Sequence, residues 1–411
     1  MIKSIIRPYL ALSYSILTFI IAALGTNTES FAQTPEATPA VENPLYAQEK
    51  QRTNAGTVSI MVSGLNCTCM QFAEDIRNVV NDLRPGGQRA LISVGEGGLQ
   101  NLKDMNFLLG AHMSIVDEND LKLLKESDPV VYGNADEKFR YITKLYNAEF
   151  HILARNEIKS VAELNGKAVN VERAGGQTDL VAARIFGTLG IKVKPTHYDD
   201  VLAQEKLLSG ELSAIVFSTG APQESLQQIN KSDGVHFLAL DEASLPGHDL
   251  KPIVTNYLPA ELTAEYYPNL IAAGETVPTV ASRMILAIYN WPENGERYNR
   301  NTLFTSEFFR KIDQFRHPSR HSKWQEVNIA AEVPGWIRFK PAQQWLDRNK
   351  SLLSTSSLPA AASTEQKTAF ESFVASRGSA NGQPLTAKQR EALYKEFQDF
   401  MAARKKPGTA R

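Results

Sequence analysis

An α/β fold in two lobes is predicted by three features of the chain. Apolar strand-like runs alternate with amphipathic helical runs, the alternation repeats in two successive blocks, and late β-rich material most simply returns to the first block. Alternation of this kind is the signature of a parallel sheet with helices on its faces. Two lobes joined by two chain crossings make a hinge and a cleft.

The first block begins with a strand over Thr57 to Val62, then a helix near Gln71 to Leu83 and a strand over Arg89 to Val94. It continues with a helix near Leu99 to Lys103, a strand over Ala111 to Val116 and a helix near Asn119 to Lys125. Phe139 to Leu145 and Glu149 to Ala154 are two β-rich runs joined through Tyr146-Asn147-Ala148, where the chain is expected to pass between lobes.

The second block opens with a short helix over Ser160 to Leu164 and a strand over Ala168 to Val171. A helix over Asp179 to Leu189 follows, with Leu180 or Val181, Ile185 and Leu189 on one face, Thr178 as its cap and Gly190 as its stop. Next come a strand over Ile191 to Tyr198, a helix over Val201 to Leu208 stopped by Gly210 and a strand over Ser213 to Phe217. A helix over Pro222 to Ile229 and a strand over Val235 to Leu240 end the block. After Thr276 to Val280, Met284 to Tyr289 reads as a strand and Leu303 to Phe315 as an amphipathic helix.

The flanks have a different character. Lys3 and Arg7 precede an apolar stretch from Leu10 to Leu24, and Ser30-Phe31-Ala32 offers small residues where a signal peptidase reads, so a mature chain beginning near Gln33 is expected. The competing reading is an uncleaved anchor, but the stretch is broken by Ser13 and Ser15 and falls short of the roughly 20 residues of a span. Gln33 to Arg52 lacks periodicity and reads as a mobile leader, with order starting at Gly56. Ser351 to Ser363 reads as a linker. Beyond it Phe370, Phe373 and Val374 mark one helix, and Leu393, Phe397, Phe400 and Met401 form the stripe of another, capped at Thr386. That pair is expected to pack on the main body as a hairpin, with partner docking as the alternative.

The expected organisation is thus a signal peptide over 1–32, a disordered leader over 33–55 and a first lobe over 56–150. A second lobe over 151–275, a return segment over 276–349, a linker over 350–363 and a C-terminal helical extension over 364–411 follow.

With 411 residues, 43% hydrophobic and 22% charged, the chain suits one large or two medium domains with real cores. A net charge of −1, with no basic run interleaved with aromatics in the folded part, argues against a nucleic-acid surface. No Gly-x-Ser-x-Gly elbow and no His-Glu-x-x-His stretch supports a hydrolase.

In an open α/β sheet, ligands collect at the carboxyl ends of strands, where loops lead into helix N-termini. Five such loops are Ser63 to Cys69, Gly95 to Gly98, Asp117 to Asp120, Arg173 to Thr178 and Ser218 to Pro222. In the fourth, Gly175-Gly176 precedes a helix start, whose unpaired N–H groups suit a small anionic or polar group. No Lys follows the glycines and the three-glycine dinucleotide spacing is absent, so phosphate chemistry is not implied. A tight strand-to-helix turn without a ligand remains open. Arg173 is either a bidentate clamp for a carboxylate or a surface charge paired with Glu172.

On these motifs the chain resembles the TAXI-type periplasmic solute receptors of TRAP transporters. The matching pieces are Glu96 to Leu102, His112 to Val116, Ile158 to Val171, Gly175 to Thr178, Ser213 to Pro222, Val277 to Val280 and Gly335 to Ala342. The resemblance spans about Thr57 to Leu346 and implies a two-lobed receptor of the type II periplasmic class. Such a receptor closes on a small organic acid or amino acid and hands it to membrane subunits driven by an ion gradient. It is exported, needs no cofactor or metal, and catalyses nothing.

The matching positions imply Asn66, Thr68, Gly98, Gln177, Thr178, Ser218 and Thr219 as ligand-facing, with Gly176 and Arg173 completing the expected site. Relatives tend to carry Gly-Thr-Tyr-Tyr in the first loop, where this chain has Cys67-Thr68-Cys69-Met70 and so lacks that aromatic pair. Glu96, Asp117 and Glu118 put negative charge near strand ends, which favours a zwitterion over a purely anionic ligand.

Cys67 and Cys69 are the only cysteines, and three states stay open for them: a strained disulfide, free buried thiols, or metal or redox chemistry. A thiol redox enzyme is accordingly the rival of another class, although it lacks a Cys-x-x-Cys arrangement. A receptor for an ATP-driven importer or a sensor is the rival that keeps the fold. His317 and His321 have metal-like spacing, but Pro318 between them disfavours a shared helix face.

Overall fold

The computed structural model describes residues 43–350. The expected signal peptide and the expected C-terminal helices lie outside the described residues. The chain runs α1 (Pro44–Ala55), β1 (Thr57–Val62), α2 (Thr68–Val80), β2 (Arg89–Val94), α3 (Gly98–Phe107), β3 (Met113–Asp117) and α4 (Asp120–Ser127). Then come α5 (Pro129–Tyr132), α6 (Ala135–Lys138), the long strand β4 (Phe139–Arg155), β5 (Ala168–Asn170), α7 (Gln177–Thr188), β6 (Lys194–Thr196) and α8 (Asp200–Ser209). The rest is β7 (Ala214–Thr219), β8 (Val235–Phe237), α9 (Lys251–Asn256), β9 (Leu258–Thr263), β10 (Thr276–Tyr289), α10 (Glu296–Arg310) and α11 (Lys340–Arg348).

Helix α1 falls where the sequence reads as leader. Asn43 accepts from the Leu45 N–H at 2.9 Å and Pro44 sits at the first helical position, both start signals, and the helix buries none of its side chains.

The sheet order is β2-β1-β3-β10-β4-β7-β5-β6, with β8 added on β4 and β9 on β10. Pairs β1–β2, β1–β3, β5–β6 and β5–β7 are parallel, as their helical crossovers require, and β10 and β4 run antiparallel to their neighbours. These two long strands carry the chain between the halves. β4 pairs with β10 from Phe139 to Glu149 and with β7 from Glu149 to Ala154. β10 pairs with β9 from Thr276 to Ala281 and with β3 from Met284 to Ile288.

Period-2 alternation assigns each strand residue to a face. Ile60 and Val62 join a core with Phe72, Phe308 and Trp324, while Met61 between them joins Leu102, Leu124 and Trp336 on the other face. In the second half Val216 packs with Phe150, Ile185 and Phe186, and Ile215 and Phe217 pack with Leu207, Leu226 and Tyr267. Each such large side chain stabilises the fold by roughly 1.5–3 kcal/mol. Segments after β10 return to the first half, where Phe304, Phe309, Phe339 and Leu346 share the core of Ile60.

The same alternation corrects the reading of residues 139–154 as two runs. Tyr146 and Ala148 face the first core, Phe150 and Ile152 continue on that face into the second, and the backbone stays extended throughout as one strand. Residues 276–289 likewise form one strand. The helix expected over 222–229 is only a 3₁₀ turn at Glu224–Leu226, with the Gln223 N–H donating to the Tyr267 hydroxyl at 2.7 Å. The strand expected over 191–198 shortens to β6, and α9 and β9 arise in a stretch with no clear period, β9 carrying Pro259. Among the described residues, no helix is long and apolar enough to cross a membrane.

Candidate functional site

The strand tips of the two halves meet, and the meeting is built from the loops named in the sequence. After β1, Cys67 caps α2, its Sγ accepting from the Met70 N–H at 3.2 Å, and a disulfide joins it to Cys69. That bond replaces the free-thiol reading of this loop. Thr68, at the first helical position and 2% exposed, donates its hydroxyl to the Gly220 carbonyl at 2.8 Å and lies 3.2 Å from the Thr219 hydroxyl. A side chain at Gly220 would put its Cβ 2.9 Å from Thr68 Cγ2, so only glycine permits this approach. Asn66 is exposed, and its carbonyl accepts from Gln223 Nε2 at 3.4 Å.

After β2, Gly98 has φ +51°, and a Cβ there would lie 2.8 Å from Leu180 Cδ1 and 2.9 Å from the Gly175 carbonyl. This contact brings the start of α3 against the glycine loop of the second half. Arg173 Nη1 bridges the same junction to Glu96 Oε2 at 2.9 Å and to the Gly95 carbonyl at 3.4 Å. Its partner is therefore Glu96 and not the neighbouring Glu172. Both side chains are largely exposed, so the pair is worth at most about 1 kcal/mol.

The helix start differs from the expected one. Gly176, buried and extended, occupies the cap position, and Thr178 lies inside the first turn of α7. A glycine has no side chain with which to cap, and Asp179 Oδ2 instead accepts the Gly175 N–H at 2.8 Å. The Thr178 hydroxyl donates to the Glu172 carboxylate and accepts the Ser218 N–H at 2.9 Å, tying β5, α7 and β7 together. Gln177 reaches across the junction, its Nε2 donating to Asp117 Oδ2 at 2.7 Å.

Asp117 is 1% exposed at the end of β3. It also accepts from the Ser282 hydroxyl and from the Asn119 N–H at 2.8 Å and Nδ2 at 3.0 Å. Burial pushes its carboxyl up to about 6, against the opposing pull of those hydrogen bonds. Burial and the Asp117 charge raise Asp120 as well. Glu172 is pushed up to about 7 by burial and then by Asp200, with the Thr178 hydrogen bond acting the other way. The tips thus offer backbone N–H groups, hydroxyls, one amide and carboxyls that gain protons close to neutral pH.

Behind the tips lies Glu149, at the point where β4 exchanges β10 for β7 as its partner. It is 4% exposed, accepts the Ala221 N–H at 2.8 Å and pairs with Lys323, 2% exposed, at 2.5 Å. Beside it the Tyr267 hydroxyl accepts from Gln223 N–H and sits 2.7 Å from His151 Nε2. His151 is completely buried and held neutral, down to about 4, by that burial. The network fixes its tautomer: Nδ1–H donates to the Glu149 carbonyl at 2.8 Å, and Nε2 accepts from Tyr267.

Of the nine residues expected at the site, Gly98, Gly176, Gln177, Thr178 and Ser218 gather around one junction. Thr68 and Thr219 form a second contact, Arg173 lies on the rim, and Asn66 contributes a carbonyl. Asp117, Ser282, Glu172 and Gly220 complete the arrangement beyond those nine; a carboxylate beside apolar strand residues is the sequence signal that marks Asp117, and it marks Glu149 behind the tips as well. His317 Nδ1 contacts Ser319 Oγ, and His321 caps the 3₁₀ turn Ser322–Glu326. Among the described residues, no group of three or more His, Cys, Asp or Glu could hold a metal ion.

Solved structures similar to this chain include one described as a periplasmic transporter, 11% identical over 74% of this chain and 98% of that one, with a TM-score of 0.42. The periplasmic binding protein BugD is 13% identical over 72% of this chain and 97% of its own, with a TM-score of 0.40. An R. palustris protein described with adipate is 13% identical over 72% of this chain and 94% of its own, with a TM-score of 0.41. The sequence matches the NMT1-like family over residues 84–296, more than half of the chain, and it belongs to that family.

Proposed function

We propose that this chain is an exported solute receptor that holds a small polar molecule, an amino acid or an organic acid, between the strand tips of its two halves. The observation that carries this reading is the tip junction: polar groups of both halves converge there, and only β4 and β10 link the halves as strands. Gly98, Gly176, Gln177, Thr178 and Ser218 would face the solute, with Arg173 at the rim. Thr68, Thr219 and the Asn66 carbonyl close the neighbouring contact.

The mechanism is a shift of population. A solute that touches both halves only when they are closed stabilises that state by its differential affinity. No covalent step is needed: the Thr178 and Ser282 hydroxyls each donate to a carboxylate and hold the tips in place. The resemblance to TAXI-type receptors supports periplasmic delivery to the membrane subunits of a TRAP transporter.

Thermal unfolding of the chain against a panel of amino acids and carboxylates tests the binding. A solute at a hundredfold excess over its Kd adds about 2.7 kcal/mol. Absence of a shift with every member of both classes overturns the reading. Uptake with an ion gradient and without ATP tests the delivery step, and a strict ATP requirement would assign it to another importer.

A further inference from the structure

An opening between the halves lies beside the tips and shares only Asn119 with the residues named at the site. It has a volume of about 660 Å³, within the usual range of small-molecule sites. One wall is α4 of the first half, and the facing wall is residues 254–258 of the second, the end of α9 and the start of β9.

The alternation of side chains along β3 and β10 separates this cavity from the tips. Ser282 and Asp117 meet on one face, whereas their neighbours Arg283 and Glu118 meet on the other, which lines the cavity. Glu118 accepts from Arg283 Nη1 at 2.9 and 2.8 Å, and the Trp336 indole N–H donates to the Glu118 carbonyl at 2.8 Å. Both ion-pair bonds use the same guanidinium nitrogen. Nη2 and Nε of Arg283 have no acceptor among the described residues, and this side chain is 28% exposed.

The charges around the cavity balance. Besides Arg283 and Glu118, Lys125 pairs with Asp136 at 3.1 Å and Lys122 faces Glu126 at 3.9 Å. Apolar surface comes from Leu121, Val254, Leu258 and Trp336.

We infer that this cavity is a second binding site, for a zwitterion with an apolar or aromatic body, the class of the larger amino acids and short peptides. The spare guanidinium donors of Arg283 receive the carboxylate, the rim carboxylates Glu126 and Asp136 receive the ammonium, and the body lies against Trp336. A ligand carrying only one of the two charges would unbalance the ring of pairs and leave one set of partners unused.

Nuclear magnetic resonance of the ¹⁵N-labelled chain tests this through the tryptophan indole signals, of which Trp336→Phe identifies one. The probes are L-phenylalanine, 3-phenylpropanoate and phenethylamine. The expected result is a saturable shift of the Trp336 signal with L-phenylalanine, at least about tenfold weaker binding of the two singly charged analogues, and loss of the response in Val254→Tyr. Equal binding of all three probes, or no response to any, overturns the second site. A response that survives Val254→Tyr also overturns it, because the amino acid then sits outside this cavity and the proposed receptor function stands alone.

Discussion

Gln177 donates to Asp117 across 2.7 Å, and with that bond the first residue of α7 in one half grips the last residue of β3 in the other. The acceptor is buried and also held by Ser282 and Asn119, so its position is set by the first half and the amide must come to it.

Replacing Gln177 with Ala removes this grip. A hydrogen bond to a charged or partly charged group contributes about 1.5 kcal/mol, so the closed arrangement should lose about a factor of ten relative to an open one. Solution scattering should show a larger radius of gyration for the variant, and calorimetry a correspondingly weaker solute affinity. An unchanged radius and affinity would remove Gln177 from the closing contact.

Gly98→Ala acts on the same junction sterically. The added Cβ meets Leu180 Cδ1 and the Gly175 carbonyl at under 3 Å, and φ +51° disfavours a side chain there. The tips should be wedged apart, with solute affinity falling more than thermal stability. Equal affinity of variant and parent in calorimetry would contradict the close packing of the tips.

Glu172 ties stability to pH. Its carboxyl is held up to about 7 when folded, by burial and by Asp200, against 4.5 when unfolded. The folded chain therefore holds this proton more tightly, and the stability it contributes is complete below about pH 4.5 and lost as pH rises through about 7. Glu172→Gln keeps an acceptor for Thr178 and cannot ionise. Its advantage over the parent should be absent near pH 4.5 and reach on the order of 2 kcal/mol above pH 7. Urea denaturation at pH 5 and pH 8 measures it, and a difference that does not vary with pH contradicts the burial of this carboxylate.

Lys323→Met should be strongly destabilising, by about 3–5 kcal/mol, because it leaves the Glu149 carboxylate buried without its cation. Adding Glu149→Gln should recover much of the loss, since the Ala221 N–H can still find an acceptor. Denaturation of both variants distinguishes a buried ion pair from a solvated one; equal stability of Lys323→Met and the parent would indicate the latter.

Much of this architecture is legible in the sequence, and the exceptions have physical causes. β1 and β2 follow directly from short apolar runs bounded by turns, and Gly210, with φ +87°, ends α8 as its position suggests. Residues 139–155 read as two strands because Asn147 interrupts the apolar run; its pairing with Arg283 of β10 is a tertiary fact. Thr178 looks like a cap, yet its hydroxyl is drawn inward by Glu172 and Ser218, which are remote in the pattern or masked by the adjacent Arg173. At the site, glycines and hydroxyls can be read from strand ends, whereas the pairings of Asp117 with Ser282 and of Thr68 with Gly220 join residues more than 150 positions apart.

The central claim is closure of two halves on a solute, and a distance between them tests it most directly. Spin labels placed at exposed Leu109 in the first half and exposed Lys194 in the second report that distance by pulsed electron resonance, using the solute that gives the largest thermal shift. The account predicts a broad distribution that collapses to a single shorter distance on saturation, and the same collapse failing in Gly98→Ala. A distribution unchanged by a solute that demonstrably stabilises the chain would contradict it.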